Sequence, residues 1–253
     1  MIRPCVVVPY YDHEHAIEST LAKLEPLGLT CWVVDDGSHA PAREMLARVA
    51  ERRRDWVRLL RLDPNQGKGA AVAAGCAAAL DEGFTHAVQV DADGQHAIDD
   101  VPRLLALARE TPLALVTGIP VYDESVPRSR LIGRYVTHFW VWIHTLSFHV
   151  RDSMCGFRVY PLAATLDEWN AGHIGRRMDF DTEILVRLVW RGLPLVQMPT
   201  RVTYPVDGVS HFDLWRDNLR ISWMHTRLFF GMLRRLPALL ARRFSRSRPM
   251  SRP

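Results

Sequence analysis

The chain has 253 residues, of which 48% are hydrophobic and 24% are charged. These are ordinary globular values, and they exclude a disordered chain, a collagen and a disulfide scaffold. The net charge of +4 conceals a split, because residues 213–253 carry +8 and residues 1–212 carry −4. An acidic body with a basic tail favours a soluble fold whose carboxyl-terminal segment binds anionic partners.

The four cysteines are far apart in the chain and form no CxxC pair. This spacing argues against a zinc site and predicts reduced thiols in a cytosolic protein. The amino terminus lacks the apolar run of a signal peptide, and no stretch of about 18 uninterrupted apolar residues exists. We therefore expect a chain that does not cross a membrane.

Short apolar runs alternate with segments of helical period through the first half of the chain. This alternation predicts an α/β fold with a mostly parallel, Rossmann-like sheet and helices on both faces. The predicted strands are 5–8, 31–34, 57–61, 87–90 and 113–117, and the helices between them are 15–27, 42–54, 69–80 and 99–109. The second half is less regular, with a helix at 178–191 and a strand at 195–203.

Polar motifs follow the first four predicted strands, where open α/β sheets bind their ligands. Asp91 and Asp93 stand one residue apart at the end of the fourth strand, with Gln95 close behind. Paired carboxylates and an amide oxygen suit Mg²⁺ or Mn²⁺, which would offset charge on a diphosphate leaving group. A solvated acidic turn is the alternative.

Two further turns have the composition of a nucleotide site. Asp35 and Asp36 offer acceptors for a base and for ribose hydroxyls, although Ser38 could instead cap the next helix. Gly67 and Gly69 would let backbone amides approach a phosphate, with Lys68 adding a point charge. A simple glycine-rich turn is the alternative there.

The order and spacing of these motifs resemble those of the family 2 glycosyltransferases. Within that family the chain is most similar to the dolichol-phosphate (polyprenyl-phosphate) mannosyltransferase branch. The tail also resembles glycosyltransferases encoded with bacterial aryl-polyene lipid biosynthesis enzymes. The similarity covers about residues 4–212 and is carried by the segments 6–12, 34–38, 65–69, 91–96, 155–160, 179–183 and 208–211.

The resemblance implies a nucleotide-diphospho-sugar transferase fold, a divalent metal and an inverting transfer of one sugar. By position, Mg²⁺ or Mn²⁺ would be held by Asp91, Asp93 and Gln95. Arg134 would face the phosphates of donor or acceptor. The remaining nucleotide-sugar-binding residues would be Pro9, Tyr11, Asp35, Asp36, Lys68 and Asp91.

Three positions depart from the family's usual motifs. His13 stands where a glutamate is usual, and Ile119-Pro120 and Pro205 stand where arginines are expected. Because of these departures, the motifs do not determine the donor sugar, the nucleotide base or whether the acceptor is a polyprenyl phosphate.

The chemistry of the acceptor decides whether a base is needed. A hydroxyl must lose its proton, and Asp181 or Glu183 could take it, whereas a phosphate is already ionised and needs only cations. The carboxylates are kept while arginines are lost, which favours a hydroxyl acceptor. Alternatively, both acids complement the dipole at a helix amino terminus.

Residues 213–244 predict a basic amphipathic tail interrupted at Pro237, and residues 245–253 predict disorder. Arg220, Arg227 and Arg234 recur every seven residues on one face. The apolar counterpart comprises Leu214, Ile221, Met224, Leu228, Met232 and Leu236. Such a tail suits an anionic membrane surface, and the alternative is a helix packed on the body.

We therefore expect a metal-dependent, inverting glycosyltransferase bound peripherally to the cytoplasmic membrane face. Its partners would be a nucleotide-diphosphate sugar, a lipid or polyprenyl-phosphate acceptor and anionic lipid, and no nucleic acid. Two alternatives remain open: a non-catalytic nucleotide-sugar-binding partner of a membrane protein assembly, and a sugar nucleotidyltransferase.

Overall fold

The chain folds around one seven-stranded sheet with helices on both faces. The computed structural model describes residues 1–122, 128–202 and 213–246, without the side chains of 128–132 and 243–246. The strands are β1 Pro4–Tyr10, β2 Cys31–Asp36, β3 Val57–Leu62, β4 His86–Gln89, β5 Leu115–Tyr122, β6 Arg158–Pro161 and β7 Leu195–Val202. The helices are α1 Glu14–Leu24, α2 Ala40–Glu51, α3 Lys68–Asp81, α4 Val101–Glu110, α5 Arg128–Thr145, α6 Leu162–Ala171, α7 Phe180–Arg191 and α8 Leu214–Arg246.

The strand order is β3-β2-β1-β4-β6-β5-β7, and β6 is antiparallel to both of its neighbours. The other pairings are parallel, which confirms the mostly parallel sheet. The four-residue β6 was not predicted, because its run is short and lies within a motif that suggested a site.

Alternating side chains of β1 divide the core into two layers, as expected for a strand buried on both faces. Val6 and Val8 pack with α1, α2 and α4, whereas Val7 packs with α3, α6, α7 and α8. Helix α3 lies very close to the sheet, since a side-chain carbon at Gly75 would be 2.6 Å from Val7. This close approach explains the alanine-rich composition of α3.

The carboxyl-terminal tail differs from its prediction in two ways. Helix α8 is continuous through Pro237 to Arg246, so the predicted interruption is wrong. Proline removes one backbone donor, and because Pro237 is exposed, water can satisfy the carbonyl left without a partner. Residues 247–253, predicted to be disordered, lie outside the described residues.

Most of the predicted apolar stripe of α8 faces the protein core, whereas Leu214 at its start is 68% exposed. Met224, Leu228 and Met232 are at most 4% exposed and pack in the same core layer as α7, with Ile221 and Leu236 partly buried against it. Burying each fully buried side chain is worth about 1.5–3 kcal/mol. The alternative of a helix packed on the body is therefore confirmed for residues 221–236 of this face.

A second apolar stripe of α8 is exposed instead. Its side chains are spaced by three, four or seven residues, which keeps them on one face of a helix. Residues of this outer stripe are 38–85% exposed, namely Trp215, Leu219, Trp223, Phe230, Leu233 and Leu240. No helix among the described residues is long and apolar enough to span a bilayer.

Candidate active site

The ends of β2 and β4 and the starts of α3 and α7 meet at one edge of the sheet. At its centre the Lys68 ammonium lies 2.8 Å from Asp91 and 2.9 Å from Asp181. The Gln89 amide nitrogen lies 3.1 and 3.4 Å from the other oxygens of the same two carboxylates. We call these four residues the carboxylate cluster.

The electrostatics of the cluster favour its charged form. Burial alone would raise the pKa of Asp91, but Lys68, His96 and hydrogen bonds hold the pKa well below its usual range. Burial alone would lower the pKa of Lys68, but the charges of Asp181 and Asp91 raise the pKa above its ordinary value. The cluster is therefore a partly buried ion-pair network with one ammonium shared by two carboxylates.

Gln89 is oriented by a second layer of polar side chains that motif analysis missed. The Tyr160 hydroxyl donates to the Gln89 carbonyl oxygen at 3.2 Å, which directs the amide nitrogen toward the carboxylates. Arg158 is fully buried and donates to the backbone carbonyls of Asp181 and Ser153. Both residues belong to the 155–160 segment that carries the family resemblance. The resemblance marked the segment as part of the site but did not indicate which side chains Arg158 and Tyr160 contact.

Gly156 lies directly against the carboxylate cluster. A side-chain carbon there would be 2.5 Å from the Gln89 nitrogen, 2.8 Å from the Lys68 ammonium and 3.2 Å from Asp91. A larger side chain at this position would therefore have to displace the ends of these polar side chains.

Asp91 and Asp93 have different environments in the structure. Asp91 is paired with Lys68, whereas an Asp93 oxygen accepts the Gln95 backbone amide at 3.0 Å. Within residues 1–122, 128–202 and 213–246, no three His, Cys, Asp or Glu side chains are grouped to hold a metal ion. The predicted set Asp91, Asp93 and Gln95 thus contains one carboxylate that is paired with Lys68 and one that is not paired with a described cation.

Asp35 and Asp36 stabilise the turns around them. The Ser38 backbone amide donates to Asp35 at 3.1 Å, and the amides of Gln66 and Gly67 each donate to Asp36 at 2.7 Å. Burial raises the pKa of Asp36. Helix α2 begins after His39 without a side-chain cap, so the capping role considered for Ser38 is not observed.

The predicted phosphate cradle at α3 is occupied by protein groups. The Gly69 amide donates to the Arg176 carbonyl at 2.8 Å, and the Gly67 amide is held by Asp36. The glycines serve close packing, since a side-chain carbon at Gly67 would lie 2.6 Å from Arg177. The loop 172–178 therefore covers the start of α3, which sequence spacing could not predict.

Arg134, one of the predicted catalytic residues, forms an ion pair with Asp152. Arg134 donates to both oxygens of Asp152, from its Nη2 atom at 2.8 Å, and lies over the Tyr122 ring. Its role toward the phosphates of donor or acceptor stays a prediction. Asp152 also accepts the Cys155 backbone amide at 2.7 Å, so the pair connects α5 to the loop before β6.

Glu183 is fully buried and has no oxygen facing an open site. Arg187 donates twice to one oxygen, and Arg227 and the Gly175 amide donate to the other. Its expected role as a base is therefore corrected to a structural one, because cations and an amide occupy both oxygens. Asp181 remains in the carboxylate cluster.

The other predicted site residues lie near the same edge of the sheet. Pro9 pairs with Val34 within the sheet, and Tyr11 follows β1 with its ring 6.2 Å from that of His39. Segment 208–211 and Pro205 lie outside the described residues, so their predicted contribution stays a prediction.

The mostly parallel seven-stranded sheet has the nucleotide-diphospho-sugar transferase fold, which solved glycosyltransferase structures share with this chain. The family model for glycosyl transferase family 2 matches residues 5–171. The chain belongs to this family and is a glycosyltransferase, as its motifs predicted.

Similar proteins agree with this assignment. An uncharacterised protein of Methanocaldococcus jannaschii is 28% identical over 81% of this chain and 90% of that protein. The dolichyl-phosphate beta-glucosyltransferase of Drosophila melanogaster is 29% identical over 87% of this chain and 70% of its own length. Glucosyl-3-phosphoglycerate synthase from Mycobacterium tuberculosis, solved with Mn²⁺ and UDP-glucose, has a TM-score of 0.63 at 19% identity, covering 92% of this chain and 78% of that one.

Proposed function

We propose that the protein is a metal-dependent, inverting glycosyltransferase that moves a sugar from a nucleotide-diphosphate donor to a polyprenyl-phosphate-type lipid at the cytoplasmic membrane face. The observation that carries this proposal is the carboxylate cluster, with Asp93 beside it, at the ligand-binding edge of the sheet. The UDP-glucose and Mn²⁺ of the mycobacterial relative support the class of donor and the metal.

In the proposed function, Tyr11, Asp35 and Asp36 bind the nucleoside of the donor. The Tyr11 hydroxyl is a neutral donor at neutral pH because the ordinary pKa of tyrosine is about 10, and burial raises the pKa of Tyr11 further. Asp36 holds the 65–67 turn in place through two backbone amides. Lys68 would place its positive charge near the diphosphate while remaining within reach of Asp91 and Asp181.

The donor set beside β4 fits a hard divalent cation. Asp93 and Gln95 offer carboxylate and amide oxygens, the ligand types that Mg²⁺ and Mn²⁺ prefer, and Asp91 is the third predicted ligand. When bound, the ion would offset the charge that develops on the diphosphate leaving group. Lys68 is shared by Asp91 and Asp181, so this group keeps one net negative charge, and Asp93 adds a second one that would attract the cation.

Two observations support a phosphate acceptor over a hydroxyl acceptor. Asp181 and Glu183 were the candidate bases, and both carboxylates are held by protein cations. An ionised phosphate needs no base to attack the anomeric carbon. The dolichyl-phosphate beta-glucosyltransferases among the relatives support the same choice.

The outer stripe of α8 supports a location at the membrane. Exposed aromatic and aliphatic side chains continue onto α5, where Tyr135, Val136 and Phe139 are 56–70% exposed. Arg216 and Arg220 of α8 are also exposed and would meet anionic lipid headgroups, at about 1 kcal/mol for each cation.

The test is transfer from UDP-glucose and GDP-mannose to a total lipid extract containing polyprenyl phosphate, with the product identified by mass. Asp93→Ala should lower turnover about 100-fold or more, because charge on the leaving group is then less well stabilised. Asp55→Ala removes an exposed carboxylate before β3 and serves as the matched control.

Three outcomes would count against the proposal. Undiminished turnover by Asp93→Ala would contradict the metal role. Release of pyrophosphate from a nucleoside triphosphate would indicate a nucleotidyltransferase. Donor binding without hydrolysis or transfer, with Mn²⁺ present, would indicate a non-catalytic binding partner.

A further inference from the structure

Arg227 of the tail reaches into the body of the protein and contacts the helix that carries Asp181. Its Nη2 atom lies 2.6 Å from Glu183 Oε2, and Glu183 is two residues beyond Asp181 on α7. Removing Arg227 would leave the buried Glu183 carboxylate with only Arg187 of its two described cations, and weakening the compensation of a buried charge is destabilising. Burial also raises the pKa of Glu183, so the carboxylate depends on its cations to stay ionised.

Glu183 in turn holds the loop 172–178. The same Oε2 atom accepts the Gly175 backbone amide at 2.9 Å. Arg187, bound to the other oxygen, donates to the His173 carbonyl at 3.2 Å. The carboxylate and its arginine partner thus fix the loop at two points.

The loop 172–178 contacts the part of the site next to Lys68. The Arg176 carbonyl accepts the Gly69 amide at 2.8 Å, on the first turn of α3. The Arg177 side chain packs against Gly67, where an added side-chain carbon would lie 2.6 Å from it, and the Gly67 amide donates to Asp36 at 2.7 Å. The charge of Arg177 also lowers the pKa values of Tyr11 and Asp36 relative to burial alone. Tyr11 and Asp36 are the residues that the proposed function gives to the nucleoside.

We propose that Arg227 is a positioning residue that fixes the donor site through Glu183 and the loop 172–178. The contacts run from α8 to Glu183, from Glu183 to the Gly175 amide, and from Arg176 to the start of α3. This assigns part of the basic tail to the donor site rather than to lipid. The consequence for donor binding rests on the proposed function, whereas the effect on the loop does not.

The experiment compares Arg227→Met, Arg227→Lys and Arg234→Met in the full-length protein. Methionine keeps the aliphatic stem of Arg227 and removes its charge. Arg234 lies seven residues further along α8, is exposed, and is therefore a control for lost charge alone. The readouts are amide hydrogen exchange, the affinity for UDP and GDP with Mn²⁺, and donor KM and kcat.

We expect Arg227→Met to speed exchange within 173–178 and at Gly69, while amides in β1, β2 and α4 keep their protection. The affinity for the nucleoside diphosphate should fall by roughly an order of magnitude, with donor KM rising in parallel and kcat changing less. Arg227→Lys should restore much of the affinity, and Arg234→Met should match the wild type.

Unchanged exchange in the loop would overturn the proposal, and so would an increase spread evenly over all protected amides, which indicates general destabilisation. If Arg227→Met is too unstable to purify, Glu183→Gln takes its place, because it keeps the size of the side chain and weakens the same contacts. If the wild type binds neither UDP nor GDP while the loop exchange rises as expected, the proposed function fails and the positioning role of Arg227 stands.

Discussion

Lys68, one of only two lysines in the chain, shows how the site is built at the residue scale. Motif order predicted that Lys68, Asp91 and Asp181 belong to one site, since the ends of parallel strands share an edge. It did not predict that they bind each other. Lys68 and Asp181 are 113 positions apart, and no local spacing encodes that contact.

Gly156→Ala tests the tight packing at the carboxylate cluster. The added methyl group would displace Gln89 or Lys68, so we expect kcat/KM to fall roughly 10- to 100-fold while the protein stays folded. Steady-state kinetics and circular dichroism measure the two effects.

Gly133→Ala is the matched control for that substitution. Nothing lies within 4 Å of a side-chain carbon at Gly133, on α5. Alanine in a helix is favoured over glycine by roughly 0.5–1 kcal/mol, so the control should be active and slightly more stable. Full activity of Gly156→Ala would show that the cluster tolerates movement and would contradict this account.

At the element scale, helix α8 was predicted correctly as amphipathic and basic but with the wrong face turned outward. The sequence contains two apolar stripes on this helix. Both are hydrophobic enough to be buried, so hydropathy alone does not choose between them. Contacts with α5 and α7 decide which stripe is buried. The three arginines of the predicted face also differ in their environments. Arg227 binds the buried Glu183 carboxylate of α7, whereas Arg220 and Arg234 are exposed.

The packing of α5 against α8 includes a buried pair of histidines. His144 Nε2 lies 3.1 Å from His225 Nδ1, and the two rings are stacked. Burial lowers their pKa values to about 3 and about 4. Both imidazoles are therefore neutral at the interface over the physiological range.

This pair predicts a loss of stability on acidification. Below the ordinary histidine pKa of about 6.5, the unfolded chain binds protons that the folded protein excludes. The free energy of unfolding should fall between about pH 6.5 and pH 4, by up to roughly 1.4 kcal/mol per pH unit for each histidine. Urea unfolding of the wild type across this range measures the slope.

The double variant His144→Gln/His225→Gln should show a shallower slope than the wild type. His15→Gln, which removes an exposed histidine, should leave the slope unchanged. Glu183, with its raised pKa, has the opposite sign and is common to all three proteins. Identical slopes for the double variant and the wild type would exclude the pair as the source.

At the scale of the whole molecule, the basic residues 213–253 belong largely to helix α8, whose two faces have different environments. Its inner face completes the core and contacts the acidic body, whereas its outer stripe is exposed and Arg216 and Arg220 pair with Asp213 and Asp217. Removing residues 213–253 would therefore expose core side chains such as Met224 and would not test membrane binding cleanly. Point substitutions on the outer stripe avoid this difficulty.

Trp215→Ser/Trp223→Ser should weaken binding to vesicles that contain phosphatidylglycerol by about tenfold or more, since burying one large apolar side chain is worth about 1.5–3 kcal/mol. Co-sedimentation measures the bound fraction. Leu113→Ser removes an exposed apolar side chain remote from α8 in sequence and should bind as the wild type does. Equal binding by the double variant would refute a membrane role for the outer stripe.

The sequence by itself determined the fold class, most strand positions, the polar residues at the strand ends and the charge of the tail. Those properties follow from local periodicity, composition and motif order, which a linear chain displays directly. Only the tertiary structure decided that Lys68 joins Asp91 to Asp181, that Glu183 and Arg134 are held by other side chains, and which face of α8 is buried. Each of these depends on contacts between elements distant in sequence, and the partners become neighbours only when the sheet and its two helical layers have assembled.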